Sequence, residues 1–361
     1  MEELKKYLPA NWQETCKSSG ALVRARSIKT PEELLALNML YISNDGSFQI
    51  ASSTFRVMKK IPINKNATYK RIKASAEWLR TLASDTCNMQ NAIIPKPAFL
   101  GNKSVNLVDA SSETSKDNKT EWRLHYAFDL FNFSCKHMEI TKNTEGERLT
   151  RFKIQPDEIL IGDKAYGTIS GIEHVRASGG DCVLRIRSKS FNIYNKEGKQ
   201  INLLDKLRTL CSLENTRINC YYKVEGELKP LTIVAMRKDD KAIQESLRRR
   251  NSELTTKQRE STSEYTKELN EYIVLATTLD YTNEQILELY RARWQIECVF
   301  KRLKSLFGYG NPPSKNEETL KAWFYGKLFL AALCEHILKV ESFSPEVGKY
   351  IVEIVTAKLV A

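Results

Sequence analysis

The sequence lacks any run of about 18 or more apolar residues, so no stretch of it reads as a membrane span. Its first residues, MEELKKYLPANWQE, have neither an apolar core nor a small-residue cleavage site, which argues against a secretory signal. Eight cysteines stand at 16, 87, 135, 182, 211, 220, 298 and 334, and no two of them form a C-x-x-C pair. That scatter speaks against a zinc site and a disulfide framework, and it fits a reducing, cytoplasmic setting. The four histidines, His125, His137, His174 and His336, have no metal-ligand spacing and read as core or surface residues. No internal repeat and no low-complexity tract breaks the chain.

What is present is a globular composition with an excess of positive charge. The 361 residues are enough for two or three domains, and 42% hydrophobic with 28% charged residues indicates folded rather than disordered chain. Lysine and arginine outnumber aspartate and glutamate by 56 to 44, a net charge of +12. Such an excess draws in a polyanion through counterion release and long-range steering, and nucleic acid is the leading candidate. A merely basic protein has the same arithmetic, so charge alone does not decide.

Residues 1–100 read as helical and basic. KTPEELLALNMLYI (29–42) has a proline near a helix start, acidic residues in the first turn and apolar residues at helical spacing. ATYKRIKASAEWLRTLAS (67–84) repeats the pattern with Tyr69, Lys70, Arg71 and Lys73 near its start. The region suits a helix-turn-helix-like module or an ordinary helical subdomain, and no diagnostic turn signature separates the two. Arg24 and Arg26 form a candidate pair for phosphates or a minor groove.

A strand pattern begins near residue 104. SVNLVDA (104–110), RLHYAFDLF (123–131), HMEITKN (137–143), DEILIGD (157–163) and CVLRIRS (182–188) are five expected strands, with a polar helical stretch before Phe152 and a helix near 166–178. Together they predict a compact α/β sheet layer. RINCYYKVEGELKPLTIVAMRK (217–238) predicts a hairpin turning at Glu225-Gly226-Glu227, followed by a charged helical segment over 239–269. Residues 189–270 thus read as an insertion between the sheet and a later helix. GKLFLAALCEHILKV (326–340) is an apolar helix suited to packing against the core.

That later helix contains YRARWQIECVFKRLK (290–304), opened by a capping box from Thr282 to Gln285. At about 100° per residue, Tyr290, Arg293, Glu297, Lys301 and Lys304 fall within an arc of about 80°. Leu289, Ile296, Val299, Phe300, Leu303 and Leu306 lie opposite. One carboxylate therefore sits inside a cationic strip. A solvated face with i,i+4 ion pairs would look similar, yet Tyr290 and Trp294 are large aromatics that such a face does not need. Upstream, Asp109 ends SVNLVDA on the face of Val105 and Leu107, and Asp163 ends DEILIGD on the face of Ile159 and Ile161. Gly162 before Asp163 allows close backbone approach. Either aspartate alone is commonly a turn residue. With Glu297 they make a set of oxygen donors suited to hard divalent cations such as Mg²⁺, and the neighbouring cations suit DNA phosphates.

These residues carry a resemblance. Tyr290, Arg293, Glu297 and Lys304 match the Y-(2)-R-(3)-E-(6)-K signature of bacterial DDE transposases of the insertion-sequence-four family. LVDASSE around Asp109 resembles that family's first-aspartate motif, IGDKAYG around Asp163 its second, and VLRIRSK (183–189) the strand that follows. The resemblance implies an α/β fold with an RNase H-like core, a mixed five-stranded sheet with flanking helices, interrupted by a β-rich insertion. On that plan residues 1–100 are a helical DNA-binding region, 101–188 and 271–325 the two parts of the core, 189–270 the insertion and 326–361 a helical tail. It further implies cut-and-paste transposition: nicking at the inverted-repeat ends of an element, a hairpin step in well-known relatives, then joining to target DNA. Carried over, Asp109, Asp163 and Glu297 are the catalytic metal ligands for two Mg²⁺ ions, with Mn²⁺ as a substitute. Tyr290, Arg293, Trp294, Lys301, Lys304, Lys164, Arg185, Arg187, Arg24 and Arg26 are the expected DNA-binding residues. The partners implied are double-stranded DNA and, on it, a second copy of the chain. A non-catalytic regulator descended from a transposase, or a structure-specific nuclease, are the alternative readings.

Overall fold

The structure, a computed structural model, describes residues 5–89, 95–114, 121–132, 134–186, 191–257, 264–309, 312–313 and 316–338. The chain divides into two compact units. The first comprises Met1–Lys96, Ala110–Gly146 and Gln295–Ala361, and the second Pro97–Asp109 and Glu147–Trp294.

The first unit opens with five helices: α1 (Trp12–Ser18), α2 (Pro31–Ser43), α3 (Phe48–Lys59), α4 (Lys65–Ala74) and α5 (Ala76–Asn88). The expected helix over 29–42 is α2. Its start is set by the Thr30 side chain accepting from Glu33 N, with the Glu33 carboxylate answering the Thr30 N–H, and by Pro31 in the first turn. The expected helix over 67–84 is instead two helices, α4 and α5, meeting at Ser75. Ser75 is buried there because its hydroxyl accepts from Asn38 Nδ2 at 3.1 Å, a polar link that anchors the joint to α2. Trp12 and Trp78 stack at 6.4 Å, and Trp78 Nε1 donates to the Trp12 carbonyl. The apolar helix near the C-terminus, α12 (Glu317–Leu338), lies against α5, α4 and α2, so the core placement holds. A Cβ on Gly326 would meet Ile42 Cδ1 at 2.0 Å, so α12 and α2 cross closely at that point.

Strand order in the first unit is β3-β2-β1, from β2 (Glu121–Asp129), β3 (Cys135–Lys142) and the last residues of β1 (Ser104–Thr114). In the second unit the order is β1-β4-β5-β8-β7-β6, with β4 (Glu158–Gly167), β5 (Asp181–Ile186), β6 (Asn215–Val224), β7 (Glu227–Arg237) and β8 (Tyr272–Thr277). β1, β4 and β5 are parallel, and α6 (Ile169–Ala177) makes the crossover between β4 and β5. Burial of Ile172 and Val175 seats α6 on those strands. The β6–β7 hairpin turns on Glu225 and Gly226, both at positive φ, which is the two-residue turn geometry that fits strand twist.

Three expectations are corrected here. The sheet is not five-stranded: eight strands form among the described residues. YIVLAT of β8 pairs antiparallel with both β5 and β7, so the unpaired amides at the β5 edge are covered and the hairpin is added to the same ladder. The polar helical stretch before Phe152 is only a single 3₁₀ turn, Leu149–Arg151. Both aspartate-bearing strands also run on past their aspartates, β1 to Thr114 and β4 to Gly167. The segment after the hairpin holds α8 (Asp240–Lys257) and α9 (Glu264–Leu269), after the short α7 (Leu203–Leu207) that precedes β6.

Candidate active site

Parallel pairing of β1 with β4 positions the two aspartates. The register runs Val105↔Ile159, Leu107↔Ile161 and Val108↔Gly162. Asp109 and Asp163 each follow directly on that last registered pair, on adjacent parallel strands. Gly162 sits where its neighbours pack tightly. A Cβ there would meet Tyr166 Cβ at 3.0 Å, Val108 Cγ2 at 3.1 Å and Leu184 Cδ2 at 3.2 Å. Beyond Gly162 the pairing of β4 with β5 shifts register and resumes only at Gly167, so Asp163 sits in an irregular stretch. Its Oδ1 accepts from Ala165 N at 2.8 Å, which fixes the carboxylate against its own backbone.

Asp109 faces an arginine of the following helix pair. The helix expected as one rod over 282–306 is two, α10 (Asn283–Ala292) and α11 (Trp294–Phe307), with Arg293 between them. The Thr282–Gln285 capping box opens α10 as anticipated, and buried Ile286 and Leu289 seat it on the second unit's strands. Arg293 Nη1 lies 3.6 Å from Asp109 Oδ2, with the two side chains 18% and 16% exposed. The Tyr290 ring lies 5.8 Å from the same guanidinium. Tyr290, Arg293 and Asp109 thus form one contact chain. Trp294 is 53% exposed, and with Met236, Ile273, Leu287, Tyr290 and Arg293 it lines a recess of about 180 Å³.

The remaining members of the cationic strip stand in the first unit. Glu297 is half-buried in the first turn of α11, and Ile296, Phe300 and Leu303 are buried on the side expected for them. Lys301 is exposed. Lys304 Nζ is 2.9 Å from Glu113 Oε1, and Glu113 is 7% exposed and also accepts from Ser111 Oγ at 2.8 Å. Glu113 went unassigned in the sequence reading. Its signal was there, because Asp109, Ser111 and Glu113 continue the period-2 face of Val105 and Leu107, but only if the strand runs past Asp109.

Other expected residues are placed as follows. Lys164 Nζ donates to Asn270 Oδ1 at 2.8 Å, and Lys238 Nζ donates to the Asn270 carbonyl at 2.5 Å. Burial lowers Lys238 to a pKa of about 8, and the nearby positive charge of Arg185 adds to this. Arg187 lies outside the described residues. Arg24 and Arg26 are exposed on the loop before α2. Buried His125 meets Thr141 Oγ1 at 2.9 Å, and half-buried His174 meets the Phe152 carbonyl at 3.0 Å. Among the described residues, no cluster of three or more histidines, cysteines and carboxylates is arranged to hold a metal ion, and no helix is long and apolar enough to cross a membrane. The cysteines are free thiols.

Comparison with known proteins completes the picture. Residues 124–334 match the model of the transposase DDE domain, a stretch that includes Asp163 and Glu297 and begins after Asp109. The chain is 28% identical over 341 residues to the putative transposase InsL for insertion sequence element IS186A of Escherichia coli, covering 92% of this chain and 91% of the relative. It is equally 28% identical, over 342 residues, to the transposase for IS421 of Escherichia coli, with the same coverage. Over 232 residues it is 26% identical to the transposase for IS231F of Bacillus thuringiensis, covering 59% of this chain and 48% of that one. With the family model spanning more than half its length, the chain belongs to the DDE transposases, enzymes of DNA cleavage and strand transfer.

Proposed function

We propose that the chain cuts DNA at the inverted-repeat ends of its own insertion element and joins those ends to a target, with Asp109, Asp163 and Glu297 as its acidic residues. The observation that supports this most is the parallel register of β1 and β4, which runs to Val108 and Gly162, the residues immediately before the two aspartates. Carboxylate oxygens are the donors that a hard divalent cation selects, and DDE enzymes use divalent metals. Asp109 and Asp163 fit such an ion, Mg²⁺ or in its place Mn²⁺, and Glu297 is proposed as the third ligand. When bound, a pair of such ions would activate the attacking oxygen and stabilise the leaving one at a phosphodiester.

The chain's own residues then orient and bind. Arg293, backed by the Tyr290 ring, lies against the Asp109 carboxylate and offers its guanidinium to an incoming phosphate. Trp294 offers an accessible indole over an apolar recess, a platform for an unpaired base worth about 1–3 kcal/mol of stacking. Lys301, Lys304, Lys164, Arg185 and Arg187 are the remaining phosphate contacts in this reading. The strands from β1 to β5 are the RNase H-like core, and residues 189–270 its β-rich insertion. Synapsis of two ends calls for two protomers on DNA, at work in the bacterial cytoplasm on nucleoid DNA, with a hairpin as the cleavage intermediate.

The test is cleavage of a duplex carrying the element's end. Asp163→Ala and Glu297→Ala are expected to lower cutting by roughly a thousandfold or more while binding persists. Wild-type rates from the Glu297→Ala protein would refute the assignment. Incubation of cut ends with supercoiled target should give joined product, which a nuclease would not form.

A further inference from the structure

One side of the first unit carries a cleft that the catalytic reading leaves unused. It has a volume of about 640 Å³. One wall is the loop bearing Arg24 and Arg26, and the other is α4 with Asn64, Asn66, Lys70 and Arg71. Among the described residues no acidic side chain lines it, so four cations and two amides face one space. Arg71 is partly desolvated beside Arg26, and both effects lower its pKa; its guanidinium donates to the Arg24 carbonyl, tying the two walls together. Uncompensated like charges raise the energy of the free protein, and a polyanion relieves that cost.

The helix that supplies the second wall is rigidly presented. Phe48 at the start of α3 stacks on Tyr41 of α2 at 4.7 Å and meets Tyr69 of α4 edge-on at 5.4 Å, so one ring joins all three helices. α3 ends at Lys59, with its capping residue Lys60 in the left-handed region at φ 55°, and the next helix is capped by Asn64, whose side chain accepts from Ala67 N at 2.8 Å. Thr68 and Ile72 are buried toward α2 and α3. Lys65, Asn66, Lys70 and Lys73 are exposed on the outer face, with Asn66, Lys70 and Lys73 at i, i+4 and i+7. Two helices joined by a short turn, the second showing polar residues from its first turn onward, is the layout that places a helix in the major groove.

We infer that α4 is the sequence-reading helix of this transposase, with Asn66 and Lys70 on base edges and Arg24 and Arg26 on the flanking phosphates of the same duplex. The inference rests on the DNA-transposase reading but not on its catalytic residues. Asparagine offers the donor–acceptor pair that matches adenine, lysine donates to the acceptors of guanine, and arginines on phosphates position without reading.

The test uses the full chain and a library of random duplexes, selected by binding and then measured against a scrambled control. Wild type should enrich one sequence. Asn66→Ala and Lys70→Ala should each lose preference at one or two base pairs, with a roughly ten- to hundredfold drop on the selected duplex and no change on the scrambled one. Arg24→Ala should weaken both duplexes alike and reduce the log–log salt slope by about 1. Recovery of the wild-type sequence at wild-type affinity by both α4 variants, equal loss on both duplexes, or no enrichment by wild type overturns the inference. A wild type that selects a sequence but cuts nothing would instead sink the catalytic reading alone. The melting temperature of each variant is recorded, and these side chains are exposed enough for it to stay at the wild-type value.

Discussion

Two cations of the Tyr-Arg-Glu-Lys series each meet a carboxylate of β1, and the two pairs differ. In the second unit, Arg293 lies 3.6 Å from Asp109, and both side chains keep about a sixth of their surface in solvent. In the first unit, Lys304 lies 2.9 Å from Glu113, whose carboxylate is nearly buried and takes a second bond from Ser111. A buried charge must be paired or it costs several kcal/mol. The Glu113 carboxylate meets that demand with two partners, Lys304 and Ser111, whereas the Asp109 pair is the longer of the two and stands on the face proposed to meet the metal and the phosphate.

The most direct way to break this contrast is to remove each cation. Lys304→Met should destabilise by about 2 kcal/mol, less than a fully buried pair because the lysine is 45% exposed, and chemical denaturation measures it. Arg293→Met should cost less by the same assay, because at 3.6 Å the pair is too long for a hydrogen bond, while end cleavage falls sharply. The reverse pattern, a stable Lys304→Met and an unfolded Arg293→Met, would invert the comparison. A change of about 1–2 kcal/mol is expected for Gly162→Ala, since the added methyl meets Tyr166, Val108 and Leu184 at 3.0–3.2 Å. It sharpens the contrast from the aspartate side: cleavage should drop with the spacing of Asp109 and Asp163, while Glu113 stays untouched.

The smallest effect concerns a cation whose neighbour is another cation. Lys238 titrates near 8 in the fold against 10.5 in the unfolded chain, chiefly through burial and then through Arg185. Between these values the unfolded state binds more protons, so stability rises with pH across that window, and the penalty is fully present below about pH 8. Lys238→Met should therefore raise the melting temperature slightly at pH 7, and the gain should shrink as pH climbs from 8 toward 10.5. A gain that stays constant over that range would show that Lys238 is not the group responsible.

Much of the local structure was legible. Thr30-Pro31-Glu32-Glu33 and Thr282 to Gln285 announced two helix starts because capping uses side chains within three residues. Glu225-Gly226 announced the hairpin turn because few residues accept positive φ. Period-2 counting put Asp109 on the strand face of Val105 and Leu107, and Asp163 on that of Ile159 and Ile161. What escaped was whatever depended on a neighbour distant in sequence. The strands appeared to end at their aspartates because a carboxylate reads as a terminator, yet Arg293 lets β1 continue through Asp109 and Lys304 lets it continue through Glu113. The long helix appeared unbroken because its amphipathic period runs through Arg293, where the backbone nonetheless divides into α10 and α11. YIVLAT carried the β-branched run of a strand, but its partners β5 and β7 lie far from it along the chain.

By itself the sequence determined most of the element types, their caps and turns, the basic character and the resemblance to DDE enzymes, since all of these follow from side-chain chemistry and short-range spacing. Tertiary structure alone decided which carboxylate each cation answers, that Trp294 stays open to solvent, and that Arg24 and Arg26 face Asn66 and Lys70 across one cleft. Those outcomes depend on burial and on through-space distance, and neither quantity exists until the chain has folded.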